Sequence, residues 1–150
     1  MKEIAPVISS SVAGPLGILH LPRLWLKIML YACGRLPPDY RHGEGGFDQL
    51  LCDRLGIDRS AFVRYIETEK PDYFALERWV LANARDLSPG TIAAFNHRVR
   101  TAELPADRAA ERRAQLAIGD QTYAHAVGLN DLDDWATLHR ELLERPPMQT

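Results

Sequence analysis

Two cations and a phenol fall at helical spacing inside an otherwise apolar run. Residues 21 to 34 read Leu-Pro-Arg-Leu-Trp-Leu-Lys-Ile-Met-Leu-Tyr-Ala-Cys-Gly. As a helix, this segment puts Arg23, Lys27 and Tyr31 on one face, with His20 just ahead of it. Arginine offers a planar fork suited to a carboxylate, and lysine adds a point charge. In a dry pocket, burial and the neighbouring Arg23 would lower the pKa of Lys27 toward that of a base or a Schiff-base amine. Leu24, Trp25, Leu26, Ile28, Met29 and Leu30 make the helix apolar nearly all round, which predicts burial. Buried cations need a negative partner. That partner is a protein carboxylate, with Asp48, Asp131 and Asp133 in view, or an acidic ligand walled by Trp25, Met29 and Tyr31. A third reading lets both charged heads reach solvent past their aliphatic stems.

A second group lies in Asp39-Tyr40-Arg41-His42-Gly43-Glu44-Gly45-Gly46. Tyr40 and His42 are proton-transfer residue types, and three glycines would let the segment move as a lid. The plain alternative is a flexible connector. A third group, His125 with Asp131, Asp133 and Asp134, lacks the spacing of a metal site, and helix capping accounts for Asp131 and Asp134 without a metal. Cys52, Gly56 and Phe62, with Arg59, Ser60 and Arg64 on the second helix, imitate a helix-turn-helix, but Asp58, Glu67 and Glu69 surround those arginines. Arg108, Glu111, Arg112 and Arg113 read as a solvated helix face, and His97 and His139 as surface residues.

The elements that must carry these groups are helical. No segment alternates with period two, so no sheet is expected. Residues 1–20 read as an extended segment punctuated by Pro6, Gly14, Pro15 and Gly17. The first helix runs from Pro22 to near Gly34, and a loop fills Leu36 to Gly46. Helices then follow over Phe47–Leu55, from Asp58 to about Glu69, from Pro71, from Ser88-Pro89, and from Asp107 to about Ile118. The last helix is capped by Asp131, with Asp134 as its capping-box partner, and ends at Pro146-Pro147. The expected fold is all-α: a single compact domain of six to seven short helices over 21–145, an extended segment over 1–20 and a tail over 146–150.

Composition narrows the function. A chain of 150 residues suits one domain, and a net charge of −2 argues against a general nucleic-acid or anionic-membrane binder. Cys33 and Cys52 form no CxxC pair and read as reduced core residues of a cytoplasmic protein. The charged and proline residues in the apolar stretch exclude a membrane span there. No phosphate loop, dinucleotide fingerprint or metal set is present, so any enzyme here is expected to work without a cofactor.

Several motifs together resemble the DUF5069 family. They are Leu21-Pro22-Arg23-Leu24 with Lys27, Gly34 and Leu36; Leu55-Gly56-Ile57-Asp58; Trp79 with Ala82-Asn83-Ala84; Ser88-Pro89; and Asp131-Leu132-Asp133-Asp134. Their order and spacing agree over roughly residues 15 to 135. The resemblance implies one small cytoplasmic domain of bacterial type and lends no mechanism. The chain departs from the family at Leu26, Met29 and Tyr31, where members carry more polar residues. Two functions stay open. One is a small-molecule site for an acidic or aromatic compound, built on Arg23, Lys27, His20, Trp25, Met29 and Tyr31, with Tyr40, His42 or Lys27 as acid–base groups. The other is a non-catalytic interaction module, a homodimer joined through helix 22–34.

Overall fold

The computed structural model describes residues 2–144. Seven helices carry them: α1 (Leu21–Ala32), α2 (Gly46–Leu55), α3 (Arg59–Glu69), α4 (Tyr73–Asn83), α5 (Pro89–Thr101), α6 (Ala106–Gln115) and α7 (Ala126–Glu144). The only β pairings among the described residues are two isolated bridges, Ala13–Leu19 and Glu103–His125. The fold is all-α, and none of these helices is long and apolar enough to cross a membrane. The expected stop at Pro146-Pro147 and the tail over 146–150 lie outside the described residues.

Local chemistry sets most helix ends. Asp58 accepts the Ala61 N–H at 3.0 Å to cap α3, and the Ser88 hydroxyl accepts that of Thr91 at 3.3 Å to cap α5. Gly56, at φ 62°, closes α2 in the left-handed conformation that glycine adopts without steric cost. Three ends differ from expectation. α4 starts at Tyr73 rather than Pro71, because the Asp72 carboxylate caps it by accepting the Ala75 N–H at 2.8 Å. α6 stops at Gln115, short of Ile118. α7 starts at Ala126, which puts Asp131 and Asp134 inside the helix instead of at its cap. The cap is His125, whose Nδ1 accepts the Gly128 N–H at 3.2 Å while Nε2 donates to the Arg100 carbonyl at 2.7 Å.

The core forms where α1 lies against α3 and α4 and where α2 meets α5. Leu24, Ile28, Leu51, Phe62, Val80 and Phe95 are all buried there. Burying each such side chain contributes roughly 1.5–3 kcal/mol. Cys52 belongs to this core, but Cys33 is exposed just past α1, contrary to the core placement expected for both thiols. α1 is lined with core residues, so it runs through the middle of the protein rather than over its surface.

The N-terminal segment is extended but has no strand alongside it. Some of its backbone polar groups pair in turns or with the Arg35 carbonyl, and others find side chains. Asn96 on α5 accepts the Leu19 N–H at 3.0 Å and donates to the Gly17 carbonyl at 2.7 Å. The Ser9 hydroxyl donates to Asp131 at 2.9 Å, and the Ala5 N–H to Glu141 at 3.3 Å, both on α7. The segment thus straps α5 and α7 to the start of α1.

Candidate functional site

His20 is where the strap becomes the helix. It sits at the N-cap of α1 with φ 70°, a left-handed conformation uncommon outside glycine, and its side chain caps nothing. The imidazole turns inward and is only 2% exposed. Nδ1 lies 2.8 Å from the Ser10 hydroxyl, and Nε2 lies 2.6 Å from Asp48 Oδ1. An ionised carboxylate can only accept, so Nε2 carries the proton and Nδ1 accepts from Ser10. Burial lowers the His20 pKa, against the pull of Asp48, which keeps the ring neutral.

Lys27, two turns along α1, donates to both oxygens of the same carboxylate, at 2.8 and 2.7 Å. The Gly43 N–H adds a fourth hydrogen bond to Asp48, at 2.9 Å. Burial alone would raise the Asp48 carboxyl, but the His20 hydrogen bond and the Lys27 charge outweigh it and hold the group at about 2. Burial also lowers the Lys27 pKa, with Asp48 opposing.

Arg23 makes a parallel cluster. Its guanidinium donates to Asp134 on α7 at 2.5 and 3.2 Å, and to the carbonyls of Pro6 and Ile8 at 2.5 and 2.9 Å. The Tyr40 hydroxyl donates to Asp134 Oδ1 at 2.8 Å. Burial pushes the Asp134 carboxyl above its ordinary value, while Arg23 and Tyr40 pull it back. Burial and the adjacent Asp134 push the Tyr40 phenol far up, so it keeps its proton.

Both cations of the stripe therefore have protein carboxylates. Lys27 has Asp48, one of the three expected partners. Arg23 has Asp134, a residue whose spacing predicts a helix-cap role instead. Asp131 instead holds Ser9, and Asp133 pairs with Arg112 at 2.6 Å. Ser10 was missed altogether, since nothing in the extended segment over 1–20 sets it apart. Ser10, His20 and Asp48 stand in the order of a charge relay. Ser10 is only 1% exposed and borders neither of the two cavities described below, so its hydroxyl is shut off from both. Here the relay order positions His20.

This double cluster floors a cleft of about 1000 Å³ between α1, α2 and the loop before α2 on one side and α5, α6 and α7 on the other. His20, Arg23, Lys27, Tyr40, Asp48 and Asp134 all border it. Phe47, Leu50, Leu104 and Leu116 give it apolar walls. Its rim carries Arg41, Arg98, Arg108, Arg112 and Arg140, with Asp39, Glu44, Glu103 and Asp133 among them. Arg108 and Arg112 were expected to face solvent. Arg108 is exposed and Arg112 half-buried, and, four residues apart on α6, both also border the cleft.

The remaining expected site residues lie elsewhere. Trp25 and Met29 leave α1 on its core side, where the Trp25 indole donates to the Pro71 carbonyl at 3.0 Å and meets Tyr73 edge-on. Tyr31 stacks on His42 with ring centroids 3.6 Å apart, and it lines neither cavity. His42 borders a second cavity, across the loop from the cleft. His97 and His139 are exposed, as expected. No group of three or more His, Cys, Asp or Glu among the described residues is arranged to hold a metal ion.

The structure thus defines an all-helical domain whose central helix is ion-paired on one face to two other helices, beneath an arginine-rimmed cleft. Within that class the chain belongs to DUF5069, described as a domain of unknown function, whose match covers residues 7–137. A comparison with curated proteins finds no match.

Proposed function

We propose that the cleft binds a small organic acid with an apolar or aromatic body. The observation that carries this reading is the rim. Five arginines from the loop, α5, α6 and α7 gather over one cavity whose polar lining carries apolar patches, and among the described residues only Arg112 has an ion-pair partner. Arginine forks suit a carboxylate, and the walls suit its hydrocarbon part. Arg23, Lys27 and His20 serve the ligand indirectly in this reading, as a floor whose hydrogen bonds are already satisfied. Tyr40 keeps its proton and both His20 nitrogens are engaged, so the reading is one of binding, and it assigns no reaction. It includes a cytoplasmic setting, which both unpaired thiols favour.

Thermal melting in millimolar benzoate, hexanoate or hexylamine tests the reading. The two acids should raise the melting temperature and the amine should not, and Arg98→Ala with Arg108→Ala should remove the effect. Equal response to acid and amine, or none to either acid, would sink it. A homodimer through α1 has less support, because Trp25 and Met29 pack inward and only Tyr31 is half exposed. DNA reading is weaker still, because Arg59 is tied to the Gly43 carbonyl at 3.2 Å and Glu67 sits beside Arg64.

A further inference from the structure

The loop before α2 is a partition. Tyr40, Arg41 and Glu44 line the cleft on one side and a separate cavity of about 610 Å³ on the other. That second cavity also takes in one face of α3, through Arg59, Ser60 and Arg64, with the Glu67 carboxylate at the edge beside Arg64. We propose that it is a second binding site, for a phosphate-class oxyanion. Three guanidiniums from two elements and a serine hydroxyl border one space, which supplies more donor directions than a planar carboxylate uses and suits a tetrahedral ion. Among the described residues, neither Arg41 nor Arg64 has an ion-pair partner. Arg59 reaches Glu44 only at 3.4 Å, and the Glu44 side chain is 79% exposed. A phosphate offers Arg59 a closer and more highly charged partner, so Glu44 yields to it.

Gly43 is the natural reporter of this exchange. Its carbonyl accepts from Arg59 at 3.2 Å, on the side of the second cavity, while its N–H donates to Asp48 at 2.9 Å, at the floor of the cleft. An ion that draws on Arg59 therefore acts on a residue whose two flanking peptides face different cavities.

The site shares Arg41 with the cleft but does not rest on the organic acid proposed there, and inorganic phosphate titrated into the full chain separates the two. Amide resonances are followed by NMR and affinity by calorimetry. Phosphate should shift Gly43 and the first turn of α3. Arg64→Gln should weaken phosphate binding about tenfold, and Arg59→Ala with Arg64→Gln should abolish it. Arg108→Ala should change nothing. Arg64 is exposed and makes no hydrogen bond among the described residues, so the single variant remains readable if the double one is destabilised. Absence of binding at tens of millimolar phosphate overturns the proposal, and so does affinity unaffected by Arg64→Gln. Loss of binding with Arg108→Ala instead would place the ion in the cleft and overturn the second site alone.

Discussion

Arginines do two different jobs in this protein, at the floor of the cleft and at its rim. Arg23 is 5% exposed, and its guanidinium meets a carboxylate and two carbonyls. Arg98 and Arg108 stand exposed above it with no ion-pair partner among the described residues. The floor holds the fold together: through Arg23 and Lys27, α1 grips α7, α2 and the N-terminal strap, and Tyr40 and Gly43 attach the loop to the same carboxylates. At the rim only the Arg112–Asp133 pair joins two helices among the described residues. A cation on a greasy helix thus marks the framework here, and the cations available to a ligand lie on polar helices that look unremarkable in sequence.

The sharpest way to break this contrast is to remove one floor partner. Arg23→Ala should cost about 3–5 kcal/mol, because it strands Asp134 without its counter-ion. Chemical denaturation would measure this, and a loss below about 1 kcal/mol would mean that the pair is not structural. Replacing both members of the other pair, Lys27→Met with Asp48→Leu, should cost less than Asp48→Ala alone. The single change leaves a buried ammonium unpaired, and the double change removes both charges.

Acid titration probes the floor more gently. The His20 pKa is lowered on folding, so below about 6.5 the unfolded chain takes up a proton that the folded one refuses. Stability from this group is complete above that value and falls as pH drops toward 5, with a limiting slope of about 1.4 kcal/mol per pH unit. His20→Gln should flatten that stretch of the stability curve. An unchanged curve would mean that the imidazole titrates as freely as an exposed one. At the rim, Arg108→Ala should move stability by no more than about 0.5 kcal/mol while weakening binding of a carboxylate. A large drop in melting temperature there would erase the distinction between floor and rim.

The helices were legible because their signals are local. Asp58 and Ser88 cap, Gly56 stops a helix, and the apolar spacing of α1 forecasts its burial. The ends that slipped were decided by competition between neighbours: Asp72 caps α4 where Pro71 looked sufficient, and His125 caps α7 ahead of Asp131. The site was half legible. Burial of Arg23 and Lys27 followed from their apolar neighbours, and Asp48 was in view as a partner. The pairing of Arg23 with Asp134 was not, because Asp134 had a sufficient local explanation and nothing in a sequence ranks a distant partner above a near one. Ser10 left no signal at all, since its role exists only once the strap has folded against His20. The rim arginines were hidden by their mixed-sign surroundings, which look the same whether a helix faces bulk water or a cleft.

The two halves of the floor also differ in when they can form. Lys27 and Asp48 are 21 residues apart, whereas Arg23 and Asp134 are 111 apart. Closing the longer loop costs roughly 1.5 kcal/mol more chain entropy. During synthesis the lysine finds its carboxylate early, while the arginine waits until nearly the whole domain has emerged. Until then Arg23 stays hydrated, and α1 cannot settle fully into the core. The Arg23–Asp134 contact is therefore a closing step of folding, and a chain truncated before α7 should be left with a loosely held first helix.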